Sequence, residues 1–175
     1  MAKAWLAEAG YPEDKDFPPL VLMHNNSELH HEIAKGVKTI LKHYLNIEIE
    51  IRVLDFDAYI DSLKQGSHIF RMGWCAGLPD ANEWLHQVFH PDKGINWIGW
   101  KNREFAKMVD RAQQISNPIG RKKLYHRAEQ ILTEQEVAII PLYFSNTQFL
   151  LKPWVKGWYH IAFGGQHIRH WSLSQ

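Results

Sequence analysis

The order of hydrophobic periods between Leu20 and Val53 constrains this chain most. Leu20-Val21-Leu22-Met23 is a short apolar run that reads as a buried strand. HNNSELHHE follows, in which Asn25, Asn26 or Ser27 can cap a helix by accepting from its free N–H groups. Leu29, Ile33, Val37, Ile40, Leu41 and Tyr44 then recur at spacings of three and four, one apolar stripe reaching Leu45. Ile47, Ile49, Ile51 and Val53 alternate with Glu48, Glu50 and Arg52, the pattern of a strand with one wet face. Strand, helix and strand at this spacing make a right-handed βαβ crossover with parallel pairing. The expected class is therefore α/β.

The pattern continues. Asp55 or Asp57 caps a second helix over 56–65, with Tyr59, Ile60 and Leu63 inward and Gly66 at its end. Ile69-Phe70-Arg71-Met72 is a third strand, and residues 3–9 form a short helix ahead of the first. From Gly77 to Asn102 no period persists, apart from a turn of helix over 81–88. Trp84, Phe89, Trp97 and Trp100, with Phe105 nearby, argue against disorder there. Phe105, Met108, Val109, Ala112 and Ile115 mark a helix that Asn117-Pro118 breaks. Leu124, Ala128, Ile131 and Leu132 mark another. Residues 137–144 read as an apolar strand interrupted by Pro141, 147–151 as a further strand, and the tail from Pro153 as aromatic and irregular.

With 45% hydrophobic and 22% charged residues, the 175-residue chain has an ordinary globular mix. Its net charge of +1, with basic residues scattered among acids, gives no field for nucleic acid or an anionic membrane. No apolar run approaches the roughly 20 residues that span a bilayer. The start, MAKAWLAEAGYPEDKD, lacks the apolar core of a signal peptide, and the chain reads as a piece of something longer. A single cysteine excludes an intramolecular disulfide.

Three chemistries compete around IFRMGWCAGLPDANEWL. Cys75 as the nucleophile of a cysteine-dependent hydrolase needs a base and an orienting partner, and its flanks match no local cysteine-protease signature. A small packed thiol is the simpler expectation. A metal site from His24, His30 and His31 with Glu28 lacks an i, i+4 pair among these histidines; His31 is expected to be solvated. Gly66, Gly73 and Gly77 form no phosphate-binding pattern. The third chemistry is a binding rim. Arg71 and Trp74 leave the carboxyl end of one strand, and Asn25, Asn26 and His30 leave that of another, where ligands of open α/β sheets bind. A cation, amides, an imidazole and an indole face suit a polar, extended small ligand.

These residues carry a family resemblance. AKAWLAEAGYP, LVLMHNNSELHHEIAKGVKTILKHYLNIEIEI, FDAYIDSLKQGSHIFRMGWCAGLPDANEWL, NREFAKMVDRAQQI, RKKLYHRAEQILTEQEVAIIPLYF and LLKPWVKGW resemble, in order, segments of family 5 extracellular solute-binding proteins. Those are the dipeptide- and oligopeptide-binding components of ABC importers. The resemblance implies a periplasmic-binding-protein type II-like lobe, a mixed sheet flanked by helices, and no enzyme activity or cofactor. Residues 1–146 would be most of the second lobe, and 147–175 a segment returning across the hinge to a missing N-terminal lobe. It implies an extracytoplasmic protein that closes on a peptide or similar solute and passes it to a membrane permease. Members that bind metal complexes make a metal-binding protein of the same fold the alternative. Carried over by position, the binding residues are Arg71 and His30 for a carboxylate, Asn25, Trp74 beside the ligand, Cys75 after it, and Tyr143 and Asn146 near the hinge. Gly77 stands where the family usually has an aspartate that grips a free α-amino group. The tryptophans at 154, 158 and 171 are expected to favour self-association if exposed.

Overall fold

A computed structural model describes residues 1–12, 15–66, 69–143, 145, 146, 148–159 and 167–174. They fall into two compact units, 1–75 with 95–101, and 76–94 with 102–175.

The first unit realises the βαβ pattern. After helix α1 (Ala2–Glu8), strand β1 (Leu20–Asn25) leads into α2 (Glu28–Leu45), β2 (Ile49–Leu54), α3 (Phe56–Lys64) and a short β3 (Ile69–Phe70). The strand order is β2-β1-β3, and both pairings are parallel. Alternation along β1 builds two apolar layers. Leu22 packs with Ala34, Ile47 and Ile49 against Val37, Leu41 and Leu45 of α2. Met23, its neighbour, packs with Tyr59 and Leu63 of α3, joined by Phe70, Met72 and Trp97. Asn46 ends α2 in the left-handed region at φ 58°, a conformation asparagine tolerates well.

The face α2 turns inward differs from the expected stripe. Leu29, Ile40 and Tyr44 are 59%, 56% and 61% exposed, whereas Ala34 is buried and Leu45 joins the core. The helix is rotated so that the row through 34, 37, 41 and 45 meets the sheet, because small Ala34 lets the backbone approach closely. Ser27 and Asp55 hold the N-cap positions of α2 and α3, but neither side chain makes a capping bond.

The second unit is helical at its centre. The α4 turn (Asn82–Leu85) precedes α5 (Arg103–Gln114) and α6 (Pro118–Gln130), which ends in a π-helical turn, Ile131–Gln135. Helices α5 and α6 pack together, burying Phe105, Val109, Ala112, Tyr125, Ala128, Ile131 and Leu132. Asn102 caps α5 through Phe105 N–H, and Asn117 caps α6 through the N–H groups of Ile119 and Gly120, with Pro118 at the first turn.

The strand expected over 137–144 does not form among its described residues. Pro141 lacks a donor, Val137 has φ 47°, and Ile140, Leu142 and Tyr143 are exposed; Phe144 lies outside the described residues. Residues 148–151 are likewise not a strand, and Thr147 is outside the description. Instead β4 (Val155–Lys156) and β5 (Ser172–Leu173) pair as an antiparallel ribbon. Among the described residues no helix is long and apolar enough to cross a membrane.

Candidate functional site

The first unit gathers Asn25, His30 and Arg71 without help from the second. Asn25 closes β1, His30 lies in the first turn of α2, and Arg71 follows β3 directly. The main chain of Arg71 is held on both sides. Its N–H donates to Met23 O at 3.0 Å, and the Tyr59 hydroxyl donates to its carbonyl at 2.8 Å. Tyr59 is fully buried, and burial pushes its hydroxyl up to about 12, Arg71 opposing. The Asn26 N–H donates to Leu54 O at 2.8 Å, pinning the loop after β1 to the end of β2.

The side chains form a directed chain. His30 Nδ1–H donates to Asn25 Oδ1 at 2.7 Å, which leaves the Nε2 lone pair to accept from Arg71 Nη1. Burial, then the charges of Arg71 and His24, hold His30 below the ordinary histidine value. His24 is wholly buried; its Nδ1–H donates to Asn25 O at 2.8 Å and its Nε2 lies 3.3 Å from His31 Nδ1. His31 therefore turns towards β1 rather than into solvent, because a buried imidazole nitrogen needs a partner.

Trp74 is half-buried in the same unit. Cys75 is exposed, a correction to the expected packed thiol: it lies in the irregular loop that follows β3. Gly77, Tyr143 and Asn146 belong to the second unit. Gly77 N–H donates to Glu83 Oε2 at 3.0 Å, and a Cβ at Gly77 would stand 3.3 Å from that oxygen. Tyr143 and Asn146 are exposed.

The second unit contains a cluster that sequence reasoning missed. His86 and His90 stand one helical turn apart, with His90 N–H donating to His86 O at 3.2 Å. Both rings face Asp110 Oδ1 of α5, His86 Nε2 at 3.3 Å and His90 Nε2 at 3.5 Å, and Lys93 Nζ meets the same oxygen at 2.6 Å. The signal was the HQVFH spacing, but its acid lies twenty positions further on. His90, only 2% exposed, accepts at Nδ1 from the N–H groups of both Asp92 and Lys93 at 3.1 Å. Its ring proton therefore sits on Nε2, facing Asp110. Metal ligation through Nε2 would place that proton on Nδ1, against two N–H donors. His86 and Lys93 bond Asp110 and so tie the turn after α4 to α5, whereas buried His90 Nε2, 3.5 Å from the same oxygen, makes no hydrogen bond among the described residues. Burial pushes Asp110 up, but the Lys93 hydrogen bond, followed by the influence of His90 and the Lys93 charge, outweighs it and holds the carboxyl below its usual range. Burial, then His90, hold His86 low against the pull of Asp110.

A parallel α/β layer carries polar side chains that converge beyond the carboxyl ends of β1 and β3, the place where open α/β sheets bind ligands. The description "Bacterial extracellular solute-binding proteins, family 5 Middle" matches residues 1–96. The chain belongs to this family. It is 32% identical over 160 residues to the periplasmic oligopeptide-binding protein OppA of Salmonella typhimurium, covering 90% of this chain and 28% of that protein. It is 32% identical over 159 residues to the probable deoxycholate-binding periplasmic protein YgiS of Escherichia coli, covering 90% and 29%. The murein tripeptide binding protein MppA of Escherichia coli superposes with a TM-score of 0.75 at 30% identity, over 89% of this chain and 30% of that one. The chain thus spans less than a third of the length of these relatives.

Proposed function

We propose that this chain is most of one lobe of an extracytoplasmic solute-binding protein that captures peptides, or a similar small polar solute, for ABC import. The observation that carries this reading is the convergence of Arg71, His30 and Asn25 at the carboxyl ends of parallel strands. Binding is non-covalent. The guanidinium of Arg71 pairs with a carboxylate through parallel hydrogen bonds, His30 and Asn25 add polar contacts, and Trp74 covers an apolar part of the solute. Residues 147–175 return to the other lobe, Tyr143 and Asn146 lie near the hinge, and closure precedes hand-over to a permease. OppA and MppA, named for oligopeptide and murein tripeptide binding, support a peptide.

Gly77 favours a second reading of the solute. Glycine offers no carboxylate to an α-amino group, so the solute need not be a free peptide. An amphiphilic carboxylate, such as the deoxycholate for which YgiS is named, uses Arg71 and an apolar surface without an ammonium grip.

In the longer protein, Arg71→Ala should weaken carboxylate solutes by about 1.5 to 3 kcal/mol, the worth of a charged hydrogen bond. Calorimetry with a tripeptide, its N-acetylated form and deoxycholate separates the two readings. Unchanged affinity in the variant would remove Arg71 from the site. The 175 residues alone hold one side of a cleft and should bind weakly; micromolar peptide affinity for them would overturn the lobe assignment.

A further inference from the structure

We propose that anion capture at Arg71 is coupled to uptake of one proton by His30, so that the site holds anionic solutes more tightly as pH falls. This rests on the reading of Arg71 as the anion-binding group.

The tautomers follow from the hydrogen bonds. Asn25 Oδ1 is an acceptor and takes the Nδ1 proton of His30, so the Nε2 lone pair is left for the Arg71 Nη1 donor. A protonated Nε2 would face that donor with a second N–H. In the free site, therefore, the guanidinium keeps His30 neutral, and the two groups together hold one positive charge. A carboxylate seated on Arg71 draws Nη1–H away from Nε2. The freed lone pair then takes a proton from solvent, and the new Nε2–H donates to the carboxylate.

The surroundings favour this exchange. From β1, His24 and Asn25 face His30, and the loop after β3 presents Arg71. His31 and Glu28 share the first two turns of α2, His31 pairing with His24 and Glu28 being exposed. From α3, Tyr59 reaches the Arg71 carbonyl and carries no charge near neutrality. Burial, then Arg71 and His24, hold His30 low, and an anion seated on Arg71 offsets the guanidinium's share of that opposition. By linkage, what the anion does to the proton the proton does to the anion, so affinity changes by up to about tenfold per pH unit.

The test uses the 175-residue chain and N-acetyl-trialanine, whose single carboxylate stays ionised between about pH 6 and pH 8, the window in which histidine titrates. Nuclear magnetic resonance follows binding and the ring nitrogens of His30. The expected result is tighter binding at the lower pH, with Nε2 of His30 becoming protonated as peptide is added. His30→Gln should remove the pH dependence, and His86→Gln, in the other unit, should keep it. If His30→Gln fails to fold, the ring-nitrogen readout of the unmodified chain decides alone. Peptide binding that is independent of pH, or a His30 that stays neutral at saturation, overturns the coupling and leaves the anion site standing. Spectral changes identical in Arg71→Gln, or none at any peptide concentration, overturn the anion site and the coupling with it.

Discussion

At the scale of single residues, Arg71 owes its position to its main chain. The bond from buried Tyr59 to its carbonyl is one neutral hydrogen bond, so Tyr59→Phe should lower stability by about 1 kcal/mol, measured by urea unfolding. An unchanged midpoint would mean that the hydroxyl does not hold the strand exit. The histidines set the acid limit. His30 and His86 both lie below the ordinary value of 6.5 when folded, so the fold prefers them neutral. Their contribution is complete above that unfolded value and is lost as pH falls from it towards the folded ones. The urea midpoint should therefore drop between about pH 7 and pH 5, before carboxylates titrate. His86→Gln should shrink that drop. Residue roles were partly legible in the chain itself. Arg71 and His30 could be foreseen because a strand end and a helix start bring them together. The exposure of Cys75 depends on a loop without period, and the Asp110 cluster on a contact between distant segments.

Among the elements, Ser27 and Asp55 were readable as cap positions but make no capping bond, whereas Asn117, read only as a helix breaker, is a bonded cap. Asn117 bonds two N–H groups at 3.0 Å, whereas Ser27 bonds none with its side chain. Asn117→Ala should thus cost about 1 kcal/mol and Ser27→Ala much less, by thermal unfolding. Equal losses would mean that cap identity, not the hydrogen bond, governs these helices. The turn after α4 has a stricter requirement. A Cβ at Gly94 would stand 2.7 Å from His86 O and 2.8 Å from His90 N, both main-chain atoms that cannot swing aside. Gly94→Ala should destabilise the chain by about 1 to 3 kcal/mol, the range for overpacking, and should shift the His86 and His90 ring signals. The rotation of α2 was hidden because alanine carries little weight in a hydrophobic stripe, yet Ala34 is where the helix meets the sheet. The strand over 137–144 was misread because an apolar run states a preference, while a strand needs a partner with free donors and acceptors.

For the whole molecule, the βαβ pattern gave the order and parallel pairing of the first unit's elements correctly because its signals are local: periods and breaks. The second unit depends more on contacts between segments far apart in the chain, and its boundaries did not show in any composition shift. Apolar side chains are exposed along the later part of the chain, Leu142, Leu151 and Trp154 among them. Trp154 is 48% exposed, whereas Trp158 stacks edge-on against Phe149 at 5.3 Å. Sedimentation velocity should show self-association that grows with concentration and weakens in Trp154→Ser. A monomer at every concentration would mean that these side chains are too dispersed to form an interface.

The fastening of Arg71 also bears on transplantation. Its amide is tied to β1, its carbonyl to α3, and its guanidinium to α2, so three elements on both faces of the sheet agree on where one cation stands. Copying an arginine, a histidine and an asparagine onto a foreign scaffold would move the letters without the frame. A portable version has to include the end of β1, the opening turn of α2, the exit of β3 and the tyrosine beneath them.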